Sequence, residues 1–264
     1  MGIIIGLVKQ IRTWEISAKI ALAVDLVLLL IAVYILFTNA TLRTSALIGA
    51  AGLLVALQGI VLWGNRNMVA PYTQAQRHYL VGEFEKARDI LRGDMDNLMA
   101  SGKNPTIDSL VLLGNTYRNL GQLRESESIL RIAVARRPDY HFAQYGLAKT
   151  RQAVGDYNSA ITYLTQALKQ GAPAIIRFDL AFTQYLRGDD GAARAVLKSI
   201  PETDETHRVL MTAYLNHELA QGALPEPELI EAGLPFWEAE VERYGHMPYG
   251  RDLSAIVGNL RHSL

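Results

Sequence analysis

The side chains able to do chemistry are few and scattered. The six histidines, His78, His141, His207, His217, His246 and His262, contain no i, i+4 pair and no H-E-x-x-H, the spacing that sets two imidazoles on one helical face around zinc. There are no cysteines, which removes thiolate metal sites, cysteine nucleophiles and disulfides. "GDDGAAR", 188–194, has the glycine and acid content of a phosphate or calcium loop. It lacks the Lys-Ser/Thr of the former and the alternating oxygen ligands of the latter, so it reads as a turn. No G-x-S-x-G and no dinucleotide fingerprint occurs. Asp25 is the one conspicuous carboxyl, because it interrupts a long apolar run where charge is costly; an ion or proton pathway is the sharp alternative to a structural contact. A single acid is thin support for a pathway. The chain is therefore expected to be no enzyme and to need no cofactor or metal.

With catalysis set aside, the question becomes what the remaining polar residues are mounted on. Twenty-six basic and 26 acidic residues in 264 give zero net charge, without the basic excess of a nucleic-acid binder. Hydrophobicity is unevenly distributed. Residues 1–70 hold only Lys9, Arg12, Lys19, Arg43 and Arg66 as bases and Glu15 and Asp25 as acids, whereas the rest reads as ordinary amphipathic helix.

Residues 19–38 and 45–63 are each long enough to cross a hydrocarbon core of roughly 30 Å at ~1.5 Å per residue, so 16–66 reads as a transmembrane hairpin. A cleaved signal peptide fits poorly: the first run is too long, no A-x-A-like site ends it, and a second span follows at once. Bases flank the outer ends while the connection holds only Arg43, so both termini are expected in the cytoplasm, with the inner membrane of a bacterial cell as the expected location. Trp14 and Trp63 would share one interface. Residues 1–15 place Ile4, Leu7, Val8 and Ile11 on one face, as an interfacial helix or as a frayed extension of the first span. Asp25 and Gln58 reach similar depth and are expected to form an intramembrane polar pair. The small residues Ser45, Gly49, Gly52, Ala56 and Gly59 are expected to meet Ala18, Ala21, Asp25 and Ala32 across the hairpin.

Beyond residue 71 a spacing recurs. Aligned on Gly82, Gly121, Gly155 and Gly188, the fifth residue onward is Ala87, Ser126, Ala160 or Ala193, and the ninth is Leu91, Leu130, Leu164 or Leu197. Seven residues before the glycine stand Ala75, Gly114, Ala148 and Ala181. The glycine intervals are 39, 34 and 33, the long one following from an inserted "DNLMASGKNPT". This pattern resembles the tetratricopeptide repeat, best in 107–140 through Leu113-Gly114, Tyr117, Gly121, Ser126, Leu130, Ala133 and Pro138. The resemblance implies an all-α chain: a TPR solenoid of about four helical pairs over 67–203, with capping helices over 204–264. Helices are expected over 204–220 and about 228–244, then, after an interruption at Gly245 and Pro248, from near Asp252.

The resemblance further implies a concave surface that holds a protein or peptide partner. Carried over position by position, it comprises Asn115, Arg118, Asn119, Tyr145, Lys149, Gln152, Phe178, Phe182 and Tyr185, with Tyr72, Gln76 and Tyr79 from the first copy. Asn115, Asn119 and Lys149 are similar to part of the carboxylate clamp of some family members, but the full set of clamp bases is missing. The aromatic end has a competing reading, in which the chain's own tail covers it through Phe236 and Trp237. Two functions follow: a membrane-tethered scaffold that positions a protein partner, or an accessory subunit of a larger membrane complex packed through its hairpin.

Overall fold

The computed structural model describes residues 16–39, 41–64, 70–220 and 222–264. Among these the regular elements are thirteen α-helices, in two compact units, one ending at Ala70 and the other running from Pro71 to Leu264. The helix expected over 1–15, with Lys9, Arg12 and Trp14, lies outside the described residues, as does Arg66.

The first unit is a helical hairpin of α1 (Ile16–Thr38) and α2 (Arg43–Gly64). Both helices are long and apolar enough to cross a membrane, and little of either is buried in the unit. The Asn39 side-chain oxygen organises the turn, accepting from the Thr41 N–H at 3.2 Å and the Thr41 hydroxyl at 2.6 Å. The small face of α1 is where expected: Ala18 and Asp25 are buried, and Ala21 and Ala32 half-buried.

The small face of α2 is not. Ser45, Gly49, Gly52, Ala56 and Gly59 all stand exposed, and nothing lies within 4 Å of a Cβ built on Gly49, Gly52 or Gly59. The shielded line is Ala46, Ala50, Leu53, Leu57 and Ile60, one residue and so about 100° away. The reason is packing density: α1 already supplies small residues, and larger side chains opposite them fill the seam that two small faces would leave open. The same rotation leaves Gln58 exposed while Asp25 is 4% exposed with Oδ2 unpartnered, so the expected Asp25–Gln58 pair is not formed.

The second unit contains the four expected pairs: α3 (Pro71–Leu80) with α4 (Phe84–Ala100), α5 (Ile107–Asn119) with α6 (Leu123–Arg136), α7 (His141–Ala153) with α8 (Tyr157–Lys169), and α9 (Ile176–Leu186) with α10 (Asp190–Leu197). Each first helix ends in the same way. Gly82, Gly121, Gly155 and Gly188 have φ between 71° and 81°, the left-handed region that a side chain disfavours. In each, the glycine N–H bonds the carbonyl three residues back and the next N–H bonds the carbonyl five back, as in Gly121→Arg118 and Gln122→Tyr117, both 2.9 Å. This doubled closure reverses the chain. The "GDDGAAR" segment is one such turn, and its Asp189 caps α10 by accepting from the Ala192 N–H at 3.1 Å.

The register residues form the packing seams. Ala75, Ala148, Ala181, Ala87, Ser126, Ala160 and Ala193 are fully buried, and the leucine line Leu91, Leu130, Leu164 and Leu197 lies beneath them. Serine is tolerated at 126 because its hydroxyl bonds Thr150 Oγ1 at 2.8 Å, which in turn donates to the Gly146 carbonyl. Gly114 has no room for a side chain: a Cβ there would stand 2.4 Å from Leu130 Cγ. The insertion after the first pair is less a loop than expected. α4 absorbs its first half and ends only at Ala100, with Gly102 at φ 67° closing the turn.

Three helices follow: α11 (Thr206–Ala220), α12 (Pro227–Tyr244) and α13 (Pro248–His262). The last starts four residues earlier than Asp252 because Pro248 opens it at the first helical position, where a missing N–H costs nothing. The last pair and these three helices share one core, running from Phe178 and Phe182 through Leu210 and Leu215 to Trp237, Leu253 and Leu260.

Candidate functional site

The wall built by the first helices of the pairs carries the residues expected to hold a partner, and α12 and α13 lie against it. At its C-terminal end the aromatic patch is closed. Phe178 and Phe182 are 2% and 1% exposed, with ring centroids 6.0 Å apart. Trp237 sits 5.6 Å from Phe182 and 6.3 Å from Phe178, its indole N–H donating to the His207 carbonyl at 2.8 Å. Trp237 is thus the lid. Phe236, expected to share that task, is 44% exposed and stacks on the His207 ring at 3.8 Å. Burial lowers the pKa of His207. Phe178 and Phe182 therefore leave the accessible surface, and Tyr185 is packed half-buried at the edge of the same core. Burying two aromatic rings is worth more than leaving them wet, which is why the tail settles there.

The middle of the wall is polar and partly engaged. Lys149 Nζ bonds Asp179 Oδ1 at 2.9 Å, and the Tyr145 hydroxyl donates to Asp179 Oδ2 at 3.1 Å. Burial, then the charge of Asp179, pushes the Tyr145 hydroxyl well above its ordinary pKa. Buried Gln152 donates to the Thr183 hydroxyl at 2.9 Å. Arg118 donates to Asn115 Oδ1 at 2.8 Å and reaches the Gly146 carbonyl at 3.4 Å. Burial opposes its charge, but the oxygens of Tyr244, Tyr79 and Tyr145 and the Glu240 carboxylate outweigh it and hold its pKa up. Asn119 is used twice, donating to the Tyr79 hydroxyl at 2.9 Å and accepting from Arg243 at 3.3 Å. Arg243 is itself paired with Glu240 at 2.9 Å, and the Tyr244 hydroxyl reaches the Arg118 carbonyl at 3.4 Å.

α13 is seated just as closely. A Cβ on Gly155 would stand 2.6 Å from Pro248, and the Tyr157 hydroxyl bonds Asp252 at 2.5 Å. Between wall and tail remains a cavity of about 230 Å³, lined by Arg118, Asn119, Lys149 and Gln152 from the repeats and Phe236, Glu240, Arg243, Tyr244 and Tyr249 from the tail. A second hollow of about 430 Å³ is lined by Ile175, Phe178, Leu197, Ile200 and Val209 together with Glu202, Arg208 and Asn216.

The N-terminal end of the wall is open. The second position before each turn glycine marks a line along it: Leu80, Asn119, Ala153 and Leu186. Asn119 bonds Arg243, Ala153 is buried beside the cavity, and Leu186 packs on the shared core. Leu80 continues that line and is 75% exposed, with Val81 beside it at 72%. Gln76 is exposed, and Tyr72 and Tyr79 are half-buried. The sequence did hold a signal for this end: an apolar Leu-Val pair at a helix terminus whose last turn needs no core side chain. Arg243, Glu240, Tyr244 and Asp179 carry no such signal, because they reach the site only through tertiary packing. Among the described residues, no group of three His, Asp or Glu side chains converges as a metal site.

The tetratricopeptide repeat profile matches residues 107–140, the second pair. No curated protein matches the chain in sequence. Among solved structures, a thermophilic TPR protein of Thermus thermophilus is 18% identical with a TM-score of 0.50, over 72% of this chain and 96% of that one. A MamA mutant is 19% identical with a TM-score of 0.46, over 66% of this chain and 95% of that one.

Proposed function

We infer that this tetratricopeptide-repeat protein is a membrane-tethered scaffold that holds a protein partner at the membrane surface, with no catalytic step of its own. The observation that carries the reading is the uneven accessibility of the wall. Its C-terminal end is closed by Trp237, and its N-terminal end presents Leu80, Val81 and Gln76. A solenoid wall with exposed aliphatic side chains beside half-buried tyrosines suits an apolar-edged protein segment. Asn115, Arg118, Asn119, Tyr145 and Lys149, farther along the wall, are engaged with one another, with Asp179 and with the tail, which leaves the open end for the partner. The tether follows from α1 and α2, whose outward faces carry Ile20, Val27, Leu30, Phe37, Ile48 and Leu62 in exposed positions suited to lipid and not to water. Bases at the outer ends of the hairpin orient both termini to the cytoplasm. The experiment is purification in mild detergent of the wild type and of a Leu80→Asp, Val81→Asp variant. A soluble partner co-purifying with the wild type should be lost from the variant while the helical content of both is equal. Undiminished recovery of that partner would refute it.

A second reading, an accessory subunit packed through its spans, is favoured by one observation. Ser45, Gly49 and Gly52 of α2 line a groove of about 550 Å³ with Leu28, Ile31 and Ile35 of α1, and small residues there would let a further helix approach closely. In that case Gly49→Leu with Gly52→Leu removes a membrane-embedded partner and leaves the soluble one.

A further inference from the structure

The cavity between the wall and the tail carries a charge that the protein does not neutralise. Three cations line it, Arg118, Lys149 and Arg243. Lys149 is paired with Asp179 and Arg243 with Glu240, each at 2.9 Å. Arg118 has hydrogen bonds only to an amide oxygen and a backbone carbonyl; among the described residues no carboxylate lies within ion-pair distance of it, and Glu240, which acts on it from farther off, is already paired with Arg243. With two acids against three bases the site is left with one positive charge, in a space of about 230 Å³, several times the roughly 30 Å³ share of one water. The opposite side of the same space is aromatic, from Phe236, Tyr244 and Tyr249. A guanidinium fork beside an aromatic wall suits a planar anion with an apolar body.

We propose that this cavity is a binding site for a small monocarboxylate with an apolar or aromatic body, its carboxylate taken by Arg118 and its body lying against Tyr249 and Phe236. The charge balance suits a monoanion, which a single carboxylate supplies at neutral pH; inorganic phosphate is partly a dianion there and has no body for the aromatic side. Glu240 faces the same space and sets an upper limit on the negative charge it accepts. The site is made by both halves of the second unit, so its occupant would fasten the tail to the wall. This inference is independent of whether the open end of the wall holds a protein.

The probe is sodium benzoate, titrated calorimetrically into the full chain in detergent at fixed chloride, with benzamide and inorganic phosphate as controls. The expected result is one-site binding of benzoate below roughly 10 mM, with no detectable binding of benzamide. Arg118→Gln weakens it at least tenfold, and Ala153→Leu, which keeps every charge but fills the space, abolishes it. Because Arg118→Gln alone can unsettle the fold, the neutral isostere and the cavity-filling variant each stand as a separate test. The proposal is overturned if wild type binds no benzoate in that range, if benzamide binds as well as benzoate, if phosphate binds in its place, or if Ala153→Leu binds like wild type.

Discussion

Removing the Phe182 ring tests whether the tail belongs to the fold. Phe182 is 1% exposed, and its neighbour across the wall is Trp237, at 5.6 Å with the rings inclined at 58°. Phe182→Ala deletes a buried aromatic, a loss of roughly 3–5 kcal/mol; Trp237→Ala falls in the same range. For a unit of this size each 1 kcal/mol lowers the melting temperature by about 2–4 °C, so either variant should melt roughly 6–20 °C below wild type. The informative quantity is the double variant. If the rings touch, the second deletion removes a contact already lost, and the combined cost falls short of the sum by about 0.5–1.5 kcal/mol. Urea titration of residues 71–264, followed by circular dichroism at the helix band, measures all four forms. Costs that add within about 0.3 kcal/mol would show that Trp237 does not cover Phe182 in solution, and the closed end of the wall would have to be given up.

Three further outcomes follow. Gly121→Ala and Gly155→Ala both place a side chain at positive φ, a cost of about 1–2 kcal/mol, but only at 155 does the new Cβ meet Pro248, so 155 should melt lower; equal melting would deny the seating of α13. Burial and then the hydrogen bond to Asp108 push the Tyr140 hydroxyl up to about 12. The protonated phenol is the favoured form in the fold, so its contribution is complete below pH ~10 and is lost as pH climbs through about 12. Ultraviolet titration should find several late tyrosines, of which Tyr140 moves earlier in Asp108→Asn, and an unmoved titration would remove that bond. A cysteine at exposed Ser101 should resist an impermeant thiol reagent in intact cells and react after lysis; labelling before lysis would reverse the proposed orientation.

The repeat is legible in sequence because its determinants are local. A glycine needed at positive φ, a small residue five positions later and a leucine at nine are read within one helical pair, and all three are found in all four pairs. The tail is only half legible. That Phe178 and Phe182 need cover follows from their character, but the contacts of Arg243 and Tyr244 with Asn119 and Arg118 span more than 120 residues, and no periodicity reports them. The hairpin misleads for another reason. α2 is apolar on every side, so its sequence does not say which stripe faces α1, and an error of one residue exchanges Ser45, Gly49 and Gly52 for Ala46, Ala50 and Leu53. Pro248 reads as an interruption but is the first residue of a helix, the one helical position suited to it.

We propose that a protein partner meets the open N-terminal end of the repeat wall and no other part of the solenoid. Site-specific photo-cross-linking in intact cells addresses it directly, with the reactive side chain placed in turn at Leu80, at Ile132 on the exposed face of α6, and at Phe182. The expected result is a discrete protein adduct from Leu80, none from Ile132, and from Phe182 only a link within the chain to the tail. An adduct from Ile132 with none from Leu80 would contradict it, and so would an intermolecular adduct from Phe182.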